Sequence, residues 1–423
     1  MTGGADPAAG VPGAKLAAPQ AQRTGTPASA EPAGRGARTS DAPTPPARAP
    51  LTPLVSLSPA APRRPSGSGR SRFAAPALAF GLVALLAGLQ RLGLPVPSGR
   101  PSLPELHGVL MPLGFLGTLI AAERAVALGR GWAWLAPAFS GVGSLWLIAG
   151  LPSGVGRELV ALGGFALLAV FARLHRIQPS THNLVMAAGA ACWCVAGTLW
   201  VGRWDLAALV PWLAGFLVLT IAGERLELSR LVALTRRGRA LFLAAVALFL
   251  AGLALSLPQP EAGVRTAGAG LLALSAWLAS HDIARRTIRM PGVTRFMATG
   301  LAAGYLWLAV AGGLWLAIGR LSDGPGYDAM LHAVFLGFVF SMVFAHAPVI
   351  VPAVLRVRLP FHRAAYGPLA LLHASLALRL IGGDAAGSTA AWQAGGVLNE
   401  VAILGFLATM ATVAVRARRR SGG

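Results

Sequence analysis

"LHAVFLGFVFSMVFAH", residues 331–346, sets two histidines fourteen residues apart in a run that is otherwise almost wholly apolar. On a helix, fourteen steps of 100° return to within about 40° of the starting direction and rise about 21 Å. His332 and His346 therefore share a face but sit near opposite sides of a hydrocarbon core about 30 Å thick. They cannot bind one ion. If both act, this segment serves an outer site and an inner site.

Runs of similar length and apolarity recur from residue 73 to residue 416. The chain has 423 residues, of which 55% are hydrophobic and only 12% charged, against roughly 25% charged in soluble domains. The expected fold class is an all-α integral membrane protein with twelve transmembrane helices. They are predicted near 73–94, 106–124, 132–151, 157–173, 182–201, 206–223, 240–257, 264–281, 296–318, 329–351, 364–381 and 393–415. Cys192 and Cys194 fall inside the fifth span at i and i+2, on different sides of a helix, and read as buried thiols.

The net charge of +21 would suit a nucleic-acid binder, but its distribution excludes that class. With the N-terminus inside, the inner loops hold Arg124, Arg130, Arg173, Arg176, Arg225, Arg230, Arg236, Arg237, Arg239, Arg285, Arg286, Arg289, Arg295, Arg356, Arg358 and Arg363. Outer segments hold only Arg91, Arg100, Arg157, Arg203, Arg265, Arg320 and Arg379. Short arginine-rich loops stay cytoplasmic, so both termini are expected inside a bacterial-type inner membrane, with the lipid bilayer as the evident partner.

Residues 1–72, rich in Pro, Ala, Gly and Arg, lack an apolar period and are expected to be a disordered tail. Arg63, Arg64, Arg70 and Arg72 would anchor the first span from the inner side. A secretory signal is not expected, because the first apolar run is long and has no convincing cleavage motif. Residues 73–416 form the transmembrane domain, and residues 417–423 a basic cytoplasmic tail.

Seven of eleven positions agree between "GFLGTLIAAER" (114–124) and "GFLVLTIAGER" (215–225). A looser third copy, "GFVFSMVFAHA" (337–347), has His346 where the others have Glu123 and Glu224. The spacing of four spans predicts three repeated four-helix units of the same sense.

Ionisable groups within a membrane are costly and mark pathways or sites. The outer layer offers His107, His332, Arg379 and Glu400. His107 and His332, at similar depth on two helices, have the chemistry to ligate a haem iron through two imidazoles. Arg379 then neutralises a propionate, with Glu400 as its counter-charge or a proton carrier. The ordinary alternatives stay open: an interfacial His107, a His332 that only bonds between helices, an Arg379 reaching outward to headgroups. At the inner layer His346 precedes Pro348, which predicts a kinked backbone and a cavity where His346 and His182 hold a metal. Glu123–Arg124 and Glu224–Arg225 read first as ties between helices. His373, mid-way along the eleventh span, joins Glu400 as a proton-path candidate. No nucleotide-binding loop, zinc signature or nucleophile triad is present.

Twelve spans in three same-sense units, with histidines on the second and tenth, resemble the catalytic subunit of haem–copper oxidases. "LHAVFLGFVFSM" (331–342), "AYGPLALLHASLALRL" (365–380) and "GGVLNEVAILGFL" (395–407) are also similar to the C-terminal part of the NnrS family, twelve-span haem- and copper-containing proteins linked to nitric oxide metabolism. The resemblance implies that His107 and His332 are axial haem ligands, and it adds copper as a second metal. The chain departs from the oxidases where "LVPWLAGFLVLTIAG" (209–223) and "ALFLAAVALFLAGLALSL" (240–257) lack histidine, and where the tenth span lacks their close histidine pair. It also lacks the arginine and "GHTGR"-like stretch associated with NnrS. An oxygen-reducing binuclear centre is therefore not expected. The leading expectation is an inner-membrane haem protein that senses, buffers or passes electrons to a small diatomic such as nitric oxide. A cofactor-free proton-coupled transporter using Glu400, His373 and His346 is the rival, and a membrane scaffold is the third reading.

Overall fold

A computed structural model describes residues 68–96, 102–228, 234–355 and 360–421. All the regular structure among them is helical, as lipid demands of a chain that must satisfy its own backbone hydrogen bonds. The expected tail up to residue 67 lies outside the described residues, as do Arg100, Arg230, Arg356 and Arg358 of the loop charges.

Twelve long helices follow in order among the described residues, with a single helical turn at Ala284–Thr287 between the eighth and the ninth. They are α1 (Ser68–Arg91), α2 (Leu103–Leu128), α3 (Leu135–Ile148), α4 (Ser153–Ile177), α5 (Thr181–Val201), α6 (Leu206–Leu228), α7 (Arg236–Leu255), α8 (Pro260–His281), α9 (Val293–Ile318), α10 (Gly324–Val349), α11 (Arg363–Ala385) and α12 (Thr389–Ser421). Eleven of them, all but α3, are long and apolar enough to cross a bilayer. The chain is a polytopic α-helical membrane protein.

The element at the third expected span, 132–151, is shorter than its neighbours. A tight turn over Gly131–Trp134 precedes α3, and Gly150, at φ 68°, follows its C-terminal end in a left-handed conformation. α12 runs through the basic residues expected as a tail, because its run of Arg and Ala contains nothing that breaks a helix.

α6 sits at the centre, with 83% of its apolar window buried inside the protein. It packs on α5 and also touches α2, α8 and α10. α3, α4 and α5 pack in sequence, as do α7, α8 and α9, while α1 lies against α2, α10 and α12. Small residues let backbones approach: Gly252 of α7 faces Ala267 of α8, and a Cβ on Gly268 would lie 2.8 Å from the Gly312 carbonyl of α9.

The C-terminal ends of α2 and α6 carry the two best motif copies, and they meet. Arg124 Nη2 donates to Glu224 Oε1 at 2.8 Å and to Glu123 Oε1 at 3.1 Å.

Among the described residues three wide π-helical segments interrupt the bundle: Leu110–Gly117 in α2, Ala333–Phe340 in α10 and Leu378–Ala385 in α11. Such segments reposition side chains and favour functional sites. All three fall in helices that wall a single cavity.

Candidate functional site

The cavity measures about 560 Å³ and lies at one end of the bundle. The C-terminal end of α1, the N-terminal ends of α2, α10 and α12, and the π-helical end of α11 surround it. Met111, Leu206, Val210, Phe335 and Phe340 supply apolar walls. His107, Asp328, His332, Arg379, Asp384 and Glu400 supply the polar ones. Its volume is that of a site for a drug- or cofactor-sized molecule. A separate space of about 10 Å³ beside Tyr327 and Arg320 has room for one water at most.

His107 and His332 both line this cavity. His107 Nδ1 lies 2.7 Å from the Ala84 carbonyl of α1, and His332 Nδ1 lies 2.8 Å from the Asp328 carbonyl one turn earlier. A carbonyl only accepts, so Nδ1 carries a proton in both rings, and in the neutral imidazole Nε2 then keeps its lone pair. This is how imidazoles are held for coordination, with the far nitrogen anchored and the tautomer set. Both rings stand in the pattern Leu-His-small-Val, Leu106–Val109 and Leu331–Val334, and a π segment follows each.

Gly88 makes room for the His107 contact. It lies one turn beyond Ala84, and a Cβ there would sit 3.0 Å from His107 Cε1 and 3.0 Å from Glu400 Oε1. The missing side chain opens the Ala84 carbonyl to the ring and brings Glu400 of α12 beside it.

Asp328 organises the opposite wall. Arg379 Nε and Nη2 each donate to its carboxylate at 2.7 Å, Trp392 Nε1 donates to Oδ2 at 3.2 Å, and His332 Nδ1 lies 3.2 Å from Oδ1. Arg379 is only 7% exposed, with Trp392 under its guanidinium at 5.4 Å. It faces inward into a bidentate pair instead of reaching headgroups. α12 passes directly over it, because a Cβ on Gly395 would meet the Arg379 Cβ at 2.7 Å. Asn399, 2% exposed, donates to Ser375 Oγ at 2.7 Å, and its Oδ1 has no partner.

Four residues singled out from the sequence, His107, His332, Arg379 and Glu400, thus share one cavity. Asp328, Asp384, Trp392 and Gly88 were not singled out. One signal was available for Asp328: it stands four residues before His332, on the same helical face.

The inner candidates are arranged differently. His346 donates from Nδ1 to the Met342 carbonyl at 2.6 Å, and its buried Nε2 has no hydrogen-bond partner among the described residues. His182 contacts Ser180 Oγ at 3.2 Å and Glu227 Oε1 at 3.7 Å. Among the described residues no group of three or more His, Cys, Asp or Glu converges as a metal-binding set. His373 accepts from Trp307 Nε1 at 3.1 Å, which puts its proton on a buried, unpartnered Nε2. It does not line the cavity that holds Glu400.

Residues 70–415 match the family described as Domain of unknown function (DUF8744). The chain belongs to that family. The match takes in every helix that walls the cavity, so the site lies within the family's own domain. No curated protein and no solved structure matches the chain.

Proposed function

We propose that the cavity between α2 and α10 binds a haem, and that the protein uses it to sense, buffer or exchange electrons with a small diatomic such as nitric oxide. One observation carries this reading: His107 and His332 line the same cavity, each with Nδ1–H committed to a backbone carbonyl and Nε2 left to coordinate. The residues fit the group. Apolar side chains of α2, α6 and α10 suit a flat macrocycle, and His107 and His332 would hold its iron. Arg91, at the cavity wall, makes no ion pair among the described residues, so it meets a propionate more readily than Arg379, whose charge Asp328 already balances. A bound haem supplies one-electron redox chemistry, tuned by its axial ligands and their hydrogen bonds. The chain orients the ligand rings, lines part of the wall with apolar side chains and sets a carboxyl, Glu400, beside His107. This arrangement supports the likeness to the oxidase and NnrS kinds.

The reading is tested by expressing the protein with ample haem, purifying it in detergent and recording its absorption spectrum. A Soret band with low-spin features is expected, weakened or converted in His107→Ala and His332→Ala. No Soret band in the wild-type protein would end the proposal.

Glu400 favours a second reading, a proton-coupled transporter, since a cavity-lining carboxyl that makes no ion pair among the described residues suits a proton path. That reading predicts no chromophore and a pH-driven flux in proteoliposomes lost in Glu400→Gln.

We also propose that α3, extended by the turn before it, completes twelve crossings. The contact between Arg124 and Glu224 puts the C-terminal ends of α2 and α6 on one side. Three helices separate them, which supports a crossing by α3 like those of α4 and α5. The arginine-rich loops then make that side cytoplasmic, with the cavity at the opposite face. The same alternation keeps the motif copies in one sense, as three four-helix units require.

A further inference from the structure

We propose that Asp328 sets the electron-donating strength of His332, and that Trp392 and Arg379 restrain it. The inference rests on the haem reading above and names a positioning residue within the same site. Asp328 Oδ1 lies 3.2 Å from His332 Nδ1, beside the Asp328 backbone carbonyl that accepts its proton at 2.8 Å. A carboxylate charge this close to the Nδ1 proton adds to the carbonyl's pull on it, which would make Nε2 a stronger donor and favour an oxidised metal. The carboxylate is also occupied elsewhere. Arg379 holds it through two hydrogen bonds of 2.7 Å, and Trp392 adds a third at 3.2 Å on Oδ2. Asp384 of the α11 π segment stands next to it. Each donor that draws on the carboxylate leaves less of its charge for His332. The same residue thus pins α10, α11 and α12 together and meters the ligand.

Two near-isosteric substitutions separate this role from simple packing. Asp328→Asn keeps the shape and removes the charge, so the midpoint potential of the haem is expected to rise. Trp392→Phe keeps most of the ring and removes one donor from Asp328, so the potential is expected to fall. Both are measured by spectroelectrochemical titration of the purified, haem-loaded protein, beside the wild-type Soret intensity. Loosened packing would move both variants the same way, and that result, or an unchanged potential in Asp328→Asn, overturns the proposal while leaving the haem reading intact. A wild-type protein without a Soret band overturns both.

Discussion

Arg124 Nη2 stands 2.8 Å from Glu224 Oε1, joining two copies of one motif across 100 residues of chain. The arginine is 12% exposed and the glutamate 30%, so the pair is partly shielded from water. Arg124→Met would strand Glu224 and Glu123 at the ends of two packed helices. We expect a loss of about 1–2 kcal/mol, the lower range for a hydrogen bond between charged groups because water partly reaches the carboxylates. Thermal unfolding in detergent measures it. Adding Glu224→Gln should recover part of the loss, and strict additivity of the two changes would show that they do not act as a pair.

Gly337 and Gly313 make opposite predictions for the same substitution. Alanine is the better helix former by roughly 1 kcal/mol, so Gly313→Ala, whose Cβ meets nothing within 4 Å, should stabilise α9 by up to that amount. A Cβ on Gly337 would instead lie 2.6 Å from both Cβ and Cγ of Trp307. Displacing a packed indole costs about 1–3 kcal/mol, so Gly337→Ala should lower the unfolding midpoint. Equal responses at the two positions would mean that packing on Trp307 does not decide.

Trp307 also bonds His373, and this contact has its own consequence. Its Nε1–H is the partner of His373 Nδ1 at 3.1 Å, while His373 Nε2 has none. Trp307→Phe would leave both ring nitrogens of a partly buried histidine unsatisfied. A cost of about 1–3 kcal/mol follows for the stranded group, read as a lower unfolding midpoint. The double variant Trp307→Phe, His373→Leu, with an apolar group in place of each partner, should regain much of it.

The helices were legible because lipid makes apolar length nearly sufficient evidence for a helix, and the expected spans fall on α1 to α12. What periodicity could not supply was which helices touch. His107 and His332 can be placed at one depth from their positions in α2 and α10, but 225 residues separate them, and only packing on α1 and α6 brings them to one cavity. Asp328 was overlooked for a related reason. In "GPGYDAMLH" an acid soon after Pro-Gly looks like a solvated helix start, and its partner Arg379 is 51 residues away on α11. The same local logic offers Arg379 to the headgroups as readily as to a propionate. The π segments left no composition signal beyond Pro112, and the short α3 differs from a full span only by where glycines bound it.

Gly88 gives the most direct test of the cavity as a ligand site. A Cβ at this position would stand 3.0 Å from His107 Cε1, 3.2 Å from His107 Nδ1 and 3.0 Å from Glu400 Oε1. Valine adds two methyl groups beyond that point, where the ring now reaches the Ala84 carbonyl. His107 would have to leave its 2.7 Å hydrogen bond or α1 would have to move. Overpacking of about 1–3 kcal/mol at the ligand position corresponds to roughly fivefold to 150-fold weaker binding. Gly88→Val is therefore expected to purify with much less haem per protein, while size-exclusion chromatography shows the wild-type particle. The contrast with Gly313→Ala matters, since that change lies in α9, outside the cavity wall. Full haem content in Gly88→Val would mean that His107 does not hold the ligand in this cavity.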